Sequence, residues 1–131
     1  MGHEMRRTGT TLIEVVIAMS VLVIALISFL SLMFSANTLS ASTREGAIAS
    51  YDLQSAVEDT FAIPYDEFRT RYPDGYTFPN TVYNHLRNEL LRLTRLAQDP
   101  GGSWIEYRIQ ITWTDHRGKP ARDAITTRRS R

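Results

Sequence analysis

Glu14 is the residue of this sequence whose chemistry most needs an explanation. It stands directly before residues 15–34, an apolar run that only serines interrupt. An ionised carboxylate costs about 2.5–3.5 kcal/mol at the centre of a bilayer and less near its surface, so acids in such segments normally have a partner. Either Glu14 lies among the lipid headgroups beside Arg6 and Arg7, or it pairs with a cation elsewhere.

The other titratable residues form no pattern that supports catalysis or metal binding. His3, His85 and His116 are far apart in the sequence, and the chain has no cysteine, which excludes a Cys/His metal cluster. The adjacent acids Glu58-Asp59 and Asp66-Glu67 diverge on a helix or turn and do not share a site. A nucleophile elbow and a glycine-rich phosphate loop are also missing from the sequence. We therefore predict that the protein is not an enzyme and needs no metal or cofactor.

The apolar run predicts a helix that spans a membrane. Twenty helical residues extend about 30 Å, the thickness of the hydrocarbon core of a bilayer. A helix satisfies its own backbone groups in lipid, and each serine can donate its hydroxyl to a carbonyl one turn back. Arg6 and Arg7 precede the run, and the next basic residue is Arg44, so we expect the N-terminus to lie in the cytoplasm.

Three simpler interpretations of this segment compete. A buried helix of a soluble protein is disfavoured because the rest of the chain is too small to cover it. A secretory signal peptide has a shorter apolar region of about 7–15 residues, although Ser35-Ala36 and Ser40-Ala41 resemble its cleavage sites. An unprocessed signal anchor fits both the length and the charge, and only the context of Glu14 argues against it.

The residues around Glu14 resemble the processing motif of type IV prepilins. In that family a short basic leader ends in glycine, the next residue becomes the new N-terminus, and a glutamate is the fifth residue of the mature chain. The matching stretch here is RRTGTTLIEV, in which Gly9 ends the leader and Glu14 is fifth when Thr10 is counted as the first. The family usually has phenylalanine at that first position, so Thr10 departs from the pattern.

The resemblance implies that a prepilin peptidase of the inner membrane cleaves after Gly9 and methylates the new amine of Thr10. Gly9 has no side chain, so its backbone can lie extended in a protease groove. The cationic amine could then pair with Glu14 of a neighbouring subunit inside an apolar helical bundle, where an unpaired carboxylate is strongly disfavoured. Glu14 would thereby set the register of the stacked helices.

Beyond the membrane run, helical spacing predicts that the first helix continues through residues 37–62. Gly46 could mark a bend, and Pro64 should end the helix. Residues 69–79 predict a loop with a turn at Gly75, whose aromatic side chains Tyr72, Tyr76 and Phe78 cover the core. The apolar stripe of the helix is formed by Ala49, Leu53, Ala56, Val57 and Phe61.

A second helix and a β-hairpin are predicted in the last part of the chain. Residues 80–98 fit a helix with His85 on its polar surface. Residues 104–127 alternate between apolar and polar and reverse direction at a turn, which predicts the hairpin. The apolar face of the second helix is formed by Leu86, Leu90, Leu93 and Ala97.

Two further stretches resemble the V-type minor pilins and the I-type minor pseudopilins of type II secretion. They lie within residues 49–66 and residues 109–127. The expected fold is α+β and pilin-like, with a long N-terminal hydrophobic helix packed on a small C-terminal antiparallel sheet. We expect a leader over residues 1–9, a transmembrane and filament-core helix over residues 10–36, and a periplasmic head over residues 37–131.

The resemblance implies a minor pilin or pseudopilin that primes or caps the assembly of a type IV pilus or a type II secretion pseudopilus. The subunit would first reside in the inner membrane. Its partners would be other pilin subunits, the prepilin peptidase and the assembly platform. The alternative is an unprocessed bitopic protein whose periplasmic head binds a partner. The basic tail, residues 128–131, is expected to be solvated, and nucleic-acid binding is not expected.

Overall fold

The structure is a computed structural model. It describes the backbone of residues 5–131 and the side chains of residues 11–131. Four of the residues with predicted roles in processing and topology therefore lie outside the described side chains. These four are Arg6, Arg7, Gly9 and Thr10.

The fold is α+β, as predicted. A long N-terminal helix precedes a three-stranded antiparallel sheet in the order β1-β2-β3. The chain is divided into two compact units, and the boundary between them lies between Ser40 and Ala41. The helices are α1 (Met5–Ala62) and α2 (Tyr65–Arg71), and the strands are β1 (Leu90–Gln98), β2 (Trp104–Thr114) and β3 (Pro120–Ser130).

The first part of α1 presents its apolar side chains on every side of the helix. Each large hydrophobic side chain from Leu12 to Phe34 is more than half exposed. The hydroxyls of two serines, Ser20 and Ser28, donate to carbonyls one turn back at 2.8 and 2.9 Å, as the sequence predicts. By length and composition this helix is apolar enough to cross a membrane, and none of its most apolar window is buried.

The last part of α1 is amphipathic and supplies one wall of the core. Ala49, Leu53 and Ala56 are fully buried, in agreement with the predicted stripe. Phe61 was expected in the same stripe but is exposed, because the adjacent Thr60 occupies the buried position. The helix passes Gly46 without a break and ends two residues before Pro64. Proline causes this ending because it has no N–H to donate and disfavours helical geometry in the preceding residue.

A buried arginine from the end of the chain caps α1. The guanidinium of Arg129 donates through Nη1 to the carbonyl of Thr60 and through Nη2 to that of Ile63. These carbonyls have no partner within the helix, so the arginine satisfies groups that would otherwise be unpaired. Its charge also complements the negative end of the helix dipole.

The basic tail is solvated only in part: Arg128, Ser130 and Arg131 are exposed, as expected of a solvated chain end, whereas Arg129 is buried. β3 continues to Ser130, and Arg129 is only 8% exposed. The preceding Arg128 lies 4.4 Å from the centre of the Trp104 ring and forms an ion pair with Glu106 at 3.3 Å. Pairing with β2 draws these residues into the sheet.

β2 is the central strand, and the predicted hairpin is present as β2 and β3. Ile109 stands opposite Leu93 of β1 on one side and Ile125 of β3 on the other. The alternation along β2 agrees with the sequence pattern, because its alternate apolar residues face the core. Four of them are fully buried: Ile105, Tyr107, Ile109 and Ile111.

The predicted second helix over residues 80–98 is wrong. Residues 80–89 form turns and bends, and the rest of the segment is strand β1. Asn88 has a φ of 54°, a left-handed conformation that an α-helix does not contain. Leu91 and Leu93 are buried whereas Leu90 is exposed, so the leucines alternate with a period of two. Pairing with β2 outweighs the weak helical preference of this stretch.

Aromatic rings close the core above α2 and the sheet, as predicted for the loop that precedes β1. Tyr72 packs against Phe78 with ring centres 5.6 Å apart and against Tyr76 at 5.0 Å. The loop turns at Gly75, whose φ is 77°, and the N–H of Tyr76 donates to the carbonyl of Pro73 at 3.0 Å. Glycine suits this position of the turn because its φ is positive.

Two glycine-to-alanine substitutions are expected to change stability in opposite directions. Gly75→Ala places a side chain at positive φ and should lower the free energy of unfolding by about 1 kcal/mol. Gly46→Ala lies within α1 with open space around the new methyl group, so it should raise that free energy by about 0.5–1 kcal/mol. Urea denaturation of the full-length chain in detergent micelles, followed by tryptophan fluorescence, measures both. Equal signs would contradict this account.

Candidate functional site

Glu14 lies in α1 at the N-terminal border of the apolar surface. Its side chain is exposed, as are those of its neighbours Ile13 and Val15. The next acid along the chain is Glu45, so the apolar surface between them contains no second carboxylate. If other apolar helices cover this surface, the carboxylate needs a cation from one of them, because an unpaired buried charge is strongly unfavourable.

A second group of titratable side chains lies within the unit that follows Ser40. Asp52 of α1 is 1% exposed and Glu89, directly before β1, is 5% exposed. Between them lies His85, whose side chain is 54% exposed. Its Nδ1 is 2.9 Å from Oδ1 and 3.1 Å from Oδ2 of Asp52. One atom from each of the three residues lies within 4.8 Å of the other two.

Glu89 is held by the turn that precedes it. Its Oε2 accepts hydrogen bonds from the backbone N–H groups of His85 and Leu86, at 3.0 and 2.9 Å. Its Oε1 is buried and has no hydrogen-bond partner among the described residues. Burial raises the pKa of the Glu89 carboxyl above its usual range, the two backbone hydrogen bonds oppose this shift, and the negative charge of Asp52 adds to it.

Two side-chain hydrogen bonds connect α1 to the rest of the same unit. The hydroxyl of Tyr83 donates to Oδ2 of Asp59 at 2.6 Å. The hydroxyls of Thr60 and Tyr107 lie 2.7 Å apart and share a hydrogen bond. Burial raises the pKa of both tyrosines, and the hydrogen bond to Asp59 raises that of Tyr83 further. Both phenols thus form structural hydrogen bonds to residues of α1.

The adjacent acids diverge, as predicted. Glu58 accepts a hydrogen bond from Gln54 at 3.2 Å on the exposed side of α1, whereas Asp59 binds Tyr83. Asp66 is exposed and lies 3.5 Å from Arg131. In the part of the chain with described side chains, these acids do not come together in a paired-carboxylate site.

Sequence reasoning did not bring together Asp52, His85 and Glu89. It placed His85 on the polar surface of a helix, and although the side chain is exposed, it belongs to a turn beside α1. One signal was present in the sequence. Asp52 directly precedes Leu53 and follows Ala49 by three residues, so an acid falls on the buried stripe of α1.

Comparison with known proteins gives no match to a protein family, to a curated protein or to a solved structure.

Proposed function

We propose that the protein is a minor pilin or pseudopilin, a structural subunit of a filament that is assembled from the inner membrane. The observation that carries the proposal is the first part of α1, an exposed apolar helix with one acid, Glu14, at its N-terminal border. Its extent matches the thickness of a bilayer, and the same surface could pack against the equivalent helices of other subunits.

The layout of the chain supports the proposal. α1 is continuous through Ala62, and its last part supplies a wall of a small α+β core. Residues of α1 thus belong to both compact units of the chain. A subunit that transfers from a membrane into a filament needs both parts, a helix that is stable in lipid and a head with its own core.

Cleavage after Gly9 would create a new N-terminal amine that can pair with Glu14 of another subunit during assembly. The new N-terminus at residue 10 carries a positive amine, and Glu14 lies one helical turn further along. In a stack of helices offset along the filament axis, the amine of one subunit can approach the carboxylate of the next. The attraction is strongest where water is excluded, so the pair favours one register over others.

The proposal predicts where the protein is found in cells that contain a complete assembly system. Filaments sheared from the cell surface should contain the protein, which an antibody against residues 41–131 detects through its head. The signal should disappear when the assembly ATPase is absent, whereas the inner-membrane pool should remain. An unrelated single-pass membrane protein in the same cells controls for lysis.

The bitopic alternative predicts a different distribution. An unprocessed anchor leaves the protein entirely in the inner-membrane fraction, whether or not the assembly system is active. Absence from the sheared fraction, in cells whose filaments otherwise assemble, would contradict the proposed function.

A further inference from the structure

Three metal-ligating side chains from two parts of the chain meet beside α1. Asp52 lies in the helix, His85 lies in the turn before β1, and Glu89 is the residue directly before that strand. One ligand atom of each lies within 4.8 Å of the other two. Ligands bound to zinc at 2.0–2.2 Å in a tetrahedron are about 3.4 Å apart, so shifts of up to about 1.5 Å complete the arrangement.

Glu89 provides an independent indication that a ligand belongs here. The residue is 5% exposed, and its Oε1 has no hydrogen-bond partner in the described part of the chain. The other oxygen, Oε2, already accepts two backbone N–H groups. Leaving a buried polar atom unsatisfied is costly, and the two backbone bonds hold the carboxyl group in place while its second oxygen remains available.

The charges around the cluster also favour a cation. Asp52 and Glu89 are both buried acids, and within the described residues their one basic partner is the imidazole of His85. That imidazole is about half exposed, so an ion could reach it from solvent. Two carboxylates in a shared buried site repel each other unless a positive charge lies between them.

The donor set selects the kind of ion. One imidazole nitrogen with two carboxylate oxygens suits Zn²⁺, which takes His and Asp or Glu ligands at four-coordinate sites. Calcium prefers six to eight oxygen ligands, and magnesium keeps several waters in an octahedron, so three protein groups with a nitrogen suit them poorly. Because His85 is about half exposed, a water molecule can occupy the fourth coordination position of the ion.

We propose that Asp52, His85 and Glu89 bind one Zn²⁺ ion, which ties α1 to the turn before β1. In this site Nδ1 of His85 is deprotonated and faces the ion in place of its present contact with Asp52. Oε1 of Glu89 is the ligand from that residue, while Oε2 keeps its two backbone donors. The site lies wholly within residues 41–131 and does not depend on the proposed role in a filament.

Zinc titration of the untagged full-length chain in detergent micelles, after treatment with a chelator, tests the proposal. A chromophoric zinc chelator as competitor gives the stoichiometry and the affinity. We expect one Zn²⁺ per chain, a higher thermal midpoint with Zn²⁺, and no comparable effect of Mg²⁺ or Ca²⁺. His85→Ala and Glu89→Gln should each weaken binding at least tenfold, because each removes one of three ligands.

His116→Ala is the matched control, because His116 also lies beside an acid, with Nδ1 3.5 Å from Glu45, but among the described residues it belongs to no group of three possible metal ligands. It should bind zinc as the unaltered chain does. His85 is also the basic partner of the buried Asp52, so its replacement should lower the urea midpoint of the zinc-free chain, and unchanged tryptophan fluorescence without denaturant shows that the variant is folded. As a second readout, Co²⁺ should give the visible absorption of a four-coordinate site, lost in His85→Ala. Absence of binding by the unaltered chain, or equal binding by His85→Ala, would overturn the proposal.

Discussion

Glu14→Leu is expected to leave the chain in the inner membrane but to reduce its amount in sheared filaments at least tenfold. The substitution makes the helix more apolar, so membrane insertion should be unaffected or improved. In a filament it leaves the amine of the neighbouring subunit without its partner. Removing one member of a buried ion pair costs about 3–5 kcal/mol. A loss of 1.4 kcal/mol already corresponds to a factor of ten.

Two further substitutions sharpen this prediction. Glu14→Gln keeps the shape of the side chain but not its charge, so it should show a similar loss if the ion pair sets the register. Ser20→Ala changes the same helix near its apolar centre and removes one hydroxyl bond within the helix. It should leave incorporation unchanged. Normal amounts of the Glu14→Leu chain in sheared filaments would show that the carboxylate has no role in assembly.

Arg129→Ala is expected to lower the free energy of unfolding of the head by about 2–4 kcal/mol. The substitution removes two hydrogen bonds from a charged donor, each worth about 1.5–3 kcal/mol, and leaves the carbonyls of Thr60 and Ile63 without that partner. It also removes a guanidinium that lies 5.5 Å from the ring centres of Phe61 and Phe68. Some of this loss is recovered where water reaches the freed carbonyls.

Arg131→Ala provides the matched control for this prediction. It lies two residues further along, and its ion pair with Asp66 is largely exposed on both sides. Exposed pairs contribute about 0–1 kcal/mol, so the urea midpoint should barely move. Both tryptophans of the chain lie in β2 and report unfolding of the sheet directly. Equal urea midpoints for the two variants would contradict the capping role of Arg129.

Strong local patterns made much of the fold predictable. The long helix follows from an uninterrupted apolar run and the stripe after it, and β2 follows from alternation over its whole length. The prediction of a helix over residues 80–98 is wrong because the leucines from Leu86 to Leu93 fit both a helical spacing and a period of two. The actual state of this segment depends on pairing with β2 and on the left-handed Asn88, and neither can be inferred from the segment alone.

The candidate sites also differ in how far the sequence alone predicts them. Glu14 stands out in the sequence because its surroundings are apolar over many neighbouring residues. The contact between Asp52 and His85 joins residues 33 apart, and it depends on the turn that the helical interpretation had excluded. Arg129 was assigned to a solvated tail because its partners are backbone carbonyls of α1, which carry no signature in the sequence.

Intact mass and N-terminal sequence of the full-length chain, purified from cells with and without a prepilin peptidase, address the central claim most directly. The account predicts that the peptidase removes residues 1–9 and that the mature chain begins at Thr10, while Gly9→Leu stays uncleaved. If the chain keeps Met1 in cells whose peptidase processes a known prepilin, no new amine is available for Glu14, and the protein is a membrane-anchored head rather than a filament subunit.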